Sequence, residues 1–198
     1  MSSLSGFDRI VTNETSIGDS IPSSSPVDRR TRLGFLFVTI PVLVALDQWT
    51  KRIATDQLMG EPAISLWGGL ARLQYARNRG AFLGAGDALS TDARFLILTV
   101  GTGVLLLGVG FFLLRRWEMP RLRFGALLLI LAGGIGNLID RILYGFVVDF
   151  MVVGLGVVRT GIFNVADVLI TTAVVLLVFD MTIGHKDEPD EPKVPNES

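Results

Sequence analysis

Four stretches of the chain stay apolar long enough to cross a bilayer, and polar segments separate them. A hydrocarbon core of roughly 30 Å needs about 20 helical residues. The pattern predicts spans over about 33–54, 95–114, 124–142 and 162–183. The second has no charge, the first holds Asp47 and Lys51, the third ends on Asp140 and Arg141, and the fourth contains Asp167. Pro41 and the many glycines of the second and third spans are compatible with membrane helices. Residues 1–32 are polar and serine-rich, and the tail 184–198 is charged and broken by proline. Neither has an apolar period, so both are expected to be disordered flanks of a membrane domain at 33–183. The first apolar stretch follows Arg29, Arg30 and Arg32 as a secretory leader would, but no small-residue cleavage site comes after it. The helix runs on through DQWTKRIA, which points to an uncleaved anchor.

Arginine placement sets the orientation. Arg29, Arg30 and Arg32 precede the first span, and Arg115, Arg116, Arg121 and Arg123 crowd the connector RRWEMPRLR after the second. The connectors at about 57–92 and 143–160 are poorer per residue, with Arg72, Arg77 and Arg79 in one and Arg159 in the other. Both termini are therefore expected in the cytoplasm and the two long connectors outside. In the first of these, partial alternation in ARLQYARNRGAFLG suggests a short strand or two. The second, LYGFVVDFMVVGLGVV, is apolar around one aspartate and is expected to lie on or dip into the membrane surface.

Composition narrows the chemistry. Hydrophobic residues make up 49% of the 198 and charged residues 19%, and mean hydropathy is +0.52, as a membrane protein requires. A net charge of −1 argues against a nucleic-acid binder. There is no cysteine, and the one histidine, His185, lies in the tail. Thiolate chemistry, Ser-His-Asp triads and histidine zinc sites are thereby excluded. Carboxylates, amides, hydroxyls, lysine and arginine remain.

The carboxylates converge in depth. At about 1.5 Å per residue, Asp47 lies about 21 Å from the cytoplasmic side and Asp140 about 24 Å along its span. Asp167 lies about 8 Å in from the outer side, and Asp149 approaches the same level from the outer connector. Ionisable groups at membrane depth are unfavourable by some kcal/mol and point to function. Helical spacing adds partners: Asp47 with Lys51 at i,i+4, Asn137 with Asp140 and Arg141, and Asn164 with Asp167 at i,i+3. Plainer roles exist for several of these. Asp47–Lys51 fits an interfacial ion pair, Arg141 could snorkel to headgroups, and the two asparagines could join helices by hydrogen bonds. Gly133, Gly134 and Gly136 fit close helix packing rather than a phosphate cradle, since no P-loop lysine follows. Asp149 and Asp167 have no adjacent cation and resist such readings.

Two carboxylates in a dry site share a proton, one activating water while the other protonates the leaving group. This is aspartic-peptidase chemistry, without metal or cofactor. On the residues alone, a proton- or cation-coupled transporter remains open beside it.

The polar residues also fall into five ordered blocks: DQWTK (47–51), NRGAF (78–82), GGIGNLIDR (133–141), VVDF (147–150) and FNVAD (163–167). Together, over about residues 33–183, they resemble the bacterial lipoprotein signal peptidase family, or type II signal peptidases. The resemblance implies an all-α integral membrane fold with four transmembrane helices. It also implies a small extracytoplasmic β cradle near 61–82 and a flap at 143–160. It implies an inner-membrane aspartic endopeptidase that cleaves diacylglyceryl-modified prolipoproteins just before the lipidated cysteine. Asp149 and Asp167 match the catalytic pair. Asn78, Asn137, Asp140, Arg141 and Asn164 would position substrate or dyad, and Asp47 and Lys51 would brace the first helix. Ala81 followed by Phe82 departs from the family's double alanine, which bears on the role carried to Asn78. The implied partners are lipid-modified prolipoproteins and the bilayer, with no nucleic acid; the oligomeric state stays open, a monomer being compatible with it.

Overall fold

The computed structural model describes residues 29–80, 90–116 and 118–184. The expectations for the N-terminal extension up to 28, for the tail from 185 and for Ala81–Phe82 lie outside these residues. In chain order the elements are α1 (Arg29–Leu58), β1 (Ile64–Leu66), β2 (Ala71–Asn78), α2 (Thr91–Phe95), α3 (Thr102–Arg115), α4 (Arg121–Tyr144), β3 (Val147–Leu155), β4 (Val158–Arg159) and α5 (Val165–Gly184). A π-helical segment, Leu96–Gly101, joins α2 to α3 in one continuous span. Among the described residues, four helices are long and apolar enough to cross a membrane. Phe37, Val104, Leu107, Val175 and Phe179 stand exposed on them. Apolar surface of that extent on a helical bundle is suited to lipid.

α4 is the central helix and packs against α1, α3 and α5. Its small residues make that possible. A Cβ at Gly133 would come within 2.5 Å of the Ala166 carbonyl oxygen in α5, and one at Gly136 within 2.5 Å of Asp47 Oδ2 in α1. Leu106, Leu113, Met119, Phe124, Leu128 and Leu131 fill the apolar core toward one end of the bundle. At that end Arg123 pairs with Asp180 at 2.7 Å. α1 begins at Arg29, four residues ahead of the expected boundary at 33. Arg32 is already packed there, donating to the Met119 carbonyl at 2.7 Å.

The other end carries one antiparallel sheet in the order β1-β2-β3-β4. β1 and β2 lie in the connector where strands were expected. Residues 147–155 and 158–159, in the connector expected to form a flap, are strands of the same sheet. The reason is backbone demand: near a membrane an apolar segment must find partners for its N–H and C=O groups, and β2 supplies them. β2 holds one extra residue between Leu73 and Ala76, opposite Met151 and Asp149. Such a bulge re-aims neighbouring side chains. α5 starts at Val165 instead of near 162, because Phe163 is tied to β3 through a bridge to Met151. Asp167 is accordingly about 3 Å from the start of its helix, shallower than the spacing suggested.

Candidate active site

β3 and the start of α5 carry the two aspartates of interest. Ala76 faces Asp149 and Asn78 faces Val147, so Asn78 is a diagonal neighbour of Asp149 on the same face of the sheet. Asn78 Nδ2 donates to Asp149 Oδ2 at 3.0 Å. The Met151–Phe163 bridge brings Asn164 alongside, and its Nδ2 donates to Asp149 Oδ1 at 2.7 Å.

Asn164 also caps α5. Its Oδ1 accepts the Asp167 backbone N–H at 3.0 Å, and Asp167 Oδ2 accepts the Asn164 N–H at 3.1 Å. This is a reciprocal capping box with Asp in the N3 position. One residue therefore holds both aspartates. The second oxygen of Asp167, Oδ1, accepts from Asn137 Nδ2 at 2.8 Å.

Amide orientation in this network is fixed by backbone or cationic donors. The Gly80 N–H donates to Asn78 Oδ1 at 2.8 Å, and Lys51 Nζ to Asn137 Oδ1 at 2.9 Å. With Asn164 Oδ1 engaged as well, all three amides present their NH₂ groups to carboxylates.

Asp47, Lys51 and Asp140 form a separate, buried layer beneath. Lys51 Nζ lies 2.8 Å from Asp47 Oδ2 and 3.1 Å from Asp140 Oδ2. Each of these aspartates also grips backbone. Asp140 Oδ2 accepts the Val148 N–H at 3.0 Å, and Asp47 Oδ1 accepts the Ala166 N–H at 2.9 Å. Val148 and Ala166 immediately precede Asp149 and Asp167. A single lysine thus ties together the two carboxylates that fix the backbone beside each member of the pair.

Gln48 belongs to this layer and was not singled out from the sequence. Its Nε2 lies 3.0 Å from Asp140 Oδ1, 3.1 Å from the Gly136 carbonyl and 3.2 Å from Asp47 Oδ2. The one available signal was its place in the polar DQWTK block.

Arg141 approaches the Asn137 carbonyl at 3.5 Å and lies within electrostatic reach of Asp167, Asp140 and Asp149. With Asn78 it lines an open cleft of about 380 Å³, together with Leu98, Thr99, Tyr144 and Phe146. The nine residues singled out from the sequence therefore form one connected site at a single end of the bundle.

Burial dominates the electrostatics of Asp149. It pushes the carboxyl up to about 6, against the Asn78 hydrogen bond, which lowers it. Asp167 raises it further, while Asn164 and Lys51 oppose. Such a group keeps its proton to a higher pH than an ordinary aspartate, a shift in the direction that a proton-sharing pair uses.

Fold and site together define a multi-pass membrane protein organised around buried carboxylates. The family profile for signal peptidase (SPase) II matches residues 39–183. A lipoprotein signal peptidase of Streptococcus thermophilus is 36% identical over 142 residues, covering 71% of this chain and 88% of the relative. One from Sphingopyxis alaskensis is 39% identical over 150 residues, covering 74% and 83%. A solved bacterial membrane enzyme superposes with a TM-score of 0.68 at 25% identity, covering 82% of this chain and 96% of its own. A second does so at 0.67 and 27%, covering 75% and 93%. The chain belongs to the signal peptidase II family and is a peptidase.

Proposed function

We propose that the protein removes signal peptides from diacylglyceryl-modified prolipoproteins by aspartic catalysis, cutting immediately before the lipidated cysteine. Asp149 and Asp167 are the catalytic pair. The observation that carries this assignment is the Asn164 bridge, which holds both carboxylates in one hydrogen-bonded unit. The rival aspartates are engaged differently: Asp47 and Asp140 are paired to Lys51 and bonded to backbone.

In the reaction the pair shares one proton. The ionised member takes a proton from water, and the resulting hydroxide adds to the carbonyl carbon preceding the cysteine. The C–N bond of the tetrahedral intermediate then breaks as the protonated member gives its proton to the departing amine. Asn78, Asn137 and Asn164 orient the carboxylates, and Arg141 faces the cleft where substrate backbone would lie. The cytoplasmic membrane is the setting, with both termini in the cytoplasm and the pair near the outer leaflet. The arginines before α1 and between α3 and α4 support that orientation. The four-stranded sheet would cradle the extended segment around the scissile bond.

The test is cleavage of a synthetic diacylglyceryl prolipoprotein by purified protein, read by mass spectrometry of the new N-terminus. Asp149→Asn and Asp167→Asn should abolish cleavage, Asp140→Asn should weaken it, and a chelator should have no effect. Activity in Asp149→Asn together with a dead Asp140→Asn would transfer the role to Asp140.

A further inference from the structure

At the end of the bundle opposite the aspartates, α1, α4 and α5 border an open groove of about 580 Å³. Phe35, Leu128, Leu129 and Leu176 give it apolar walls, and Arg32 and Arg121 stand on its lining. Arg32 is buried, with 4% of its surface exposed. One guanidinium nitrogen donates to the Met119 carbonyl, and the group lies 5.1 Å from the centre of the Phe124 ring. Its Nη1 is buried without a hydrogen-bond partner among the described residues. Arginine cannot shed its charge, and a buried cation with no ion pair among the described residues is costly. An anion that brought its own apolar body would satisfy the guanidinium and fill the groove together.

The surroundings suit a lipid. Seven arginines, at 29, 30, 32, 115, 116, 121 and 123, collect at this end of the helices. Basic pockets between helices at an anionic leaflet bind phosphate headgroups. A volume of this size lies within the range of small-molecule sites. Gly125 keeps the groove open, since a Cβ there would meet nothing within 4 Å.

We propose that this groove binds one anionic glycerophospholipid, with its phosphate on Arg32 and an acyl chain along Phe35, Leu128 and Leu129. The site is separate from the cleft beside Asp149, and its occupancy can be measured with no peptide substrate present.

The experiment is native mass spectrometry of the full chain in detergent. It is run with phosphatidylglycerol or phosphatidylcholine of identical acyl chains, with glycerol 3-phosphate as soluble competitor. The wild type should retain one phosphatidylglycerol, roughly tenfold more tightly than phosphatidylcholine, a ratio that one charge-assisted contact supplies. Arg32→Gln should remove that preference and Arg32→Lys keep most of it. Gly125→Phe, which enters open space, should weaken both lipids alike, and Arg52→Gln, exposed on α1 beyond Lys51, should change neither. Equal retention of the two lipids, or an unchanged preference in both Arg32→Gln and Gly125→Phe, overturns the proposal. Displacement by glycerol 3-phosphate would make the site a simple phosphate site and overturns it too. A lipid-free wild type equally overturns it.

Discussion

Asp149→Asn should stabilise the protein at high pH while it destroys activity, and the size of the effect follows from burial. The carboxyl moves from an ordinary value of 3.8 to about 6 in the folded chain. The folded value lies above the unfolded one, so protonation favours the fold. That stability is fully present below pH 3.8 and is lost as pH rises through about 6. A rise of this size corresponds to about 3 kcal/mol, of which about 2 kcal/mol falls between pH 4.5 and 8. Asparagine cannot ionise and escapes this loss. It has a cost of its own, because Asn78 and Asn164 both present NH₂ groups to residue 149 and an amide has one acceptor oxygen. One donor then meets a donor, at about 1–3 kcal/mol. Asparagine does not ionise, so its own cost is the same at every pH, and the value of about 6 already contains the effect of both hydrogen bonds on the aspartate. The decisive quantity is therefore the change with pH in the gap between mutant and wild-type melting midpoints. From about pH 4.5 to about pH 8 it should shift in favour of the mutant by roughly 4–8 °C. Midpoints read by tryptophan fluorescence in detergent at both pH values would measure it. A gap that stays constant with pH would refute the account of Asp149 as a carboxyl whose proton affinity is raised by burial.

Lys51→Met leaves Asp47 and Asp140 buried without their cation and should cost about 3–5 kcal/mol, seen as a lowered midpoint and yield. The triple change with Asp47→Asn and Asp140→Asn should recover much of it. Gly136→Ala drives a Cβ to 2.5 Å from Asp47 Oδ2 and should lower both midpoint and cleavage rate. Gly125→Ala meets open space and should be neutral or slightly stabilising, by up to about 1 kcal/mol. Asn164→Ala removes a helix cap, about 0.5–2 kcal/mol. It also deletes a bond that holds the Asp149 value down, so the protonated-carboxyl infrared band should persist to higher pH.

The membrane helices are legible in the sequence because lipid permits one solution for a long apolar run. Depth along those helices also brings Asp47, Asp140 and Asp167 toward the same end of the bundle, although Asp167 lies shallower than the spacing suggests. β3 is harder to read. Val147, Val148, Asp149 and Phe150 are all buried, so the strand lacks the alternation that marks a half-exposed one. The pattern starts α5 too early because Ile162 and Phe163 continue its apolar run, while pairing with β3 holds Phe163 extended. The backbone N–H groups of Val148 and Ala166, which anchor the braces, carry no signal in any side-chain pattern. Gln48 is equally silent in sequence, because its reach to Asp140 and Gly136 depends on how closely α1 meets α4.

The bond from Asp47 to the Ala166 N–H joins residues 119 positions apart, on the first helix and the last. Translation proceeds at about 5–20 residues per second, so α1 waits about 6–24 s for α5 to be synthesised. During that interval Asp167 does not yet exist, and Asp47 lacks its backbone partner. On the catalytic pair proposed above, a nascent chain therefore meets the membrane and its lipids with no working site. Proteolytic competence would then come late in biogenesis, when the helix that carries Asp167 docks against α1.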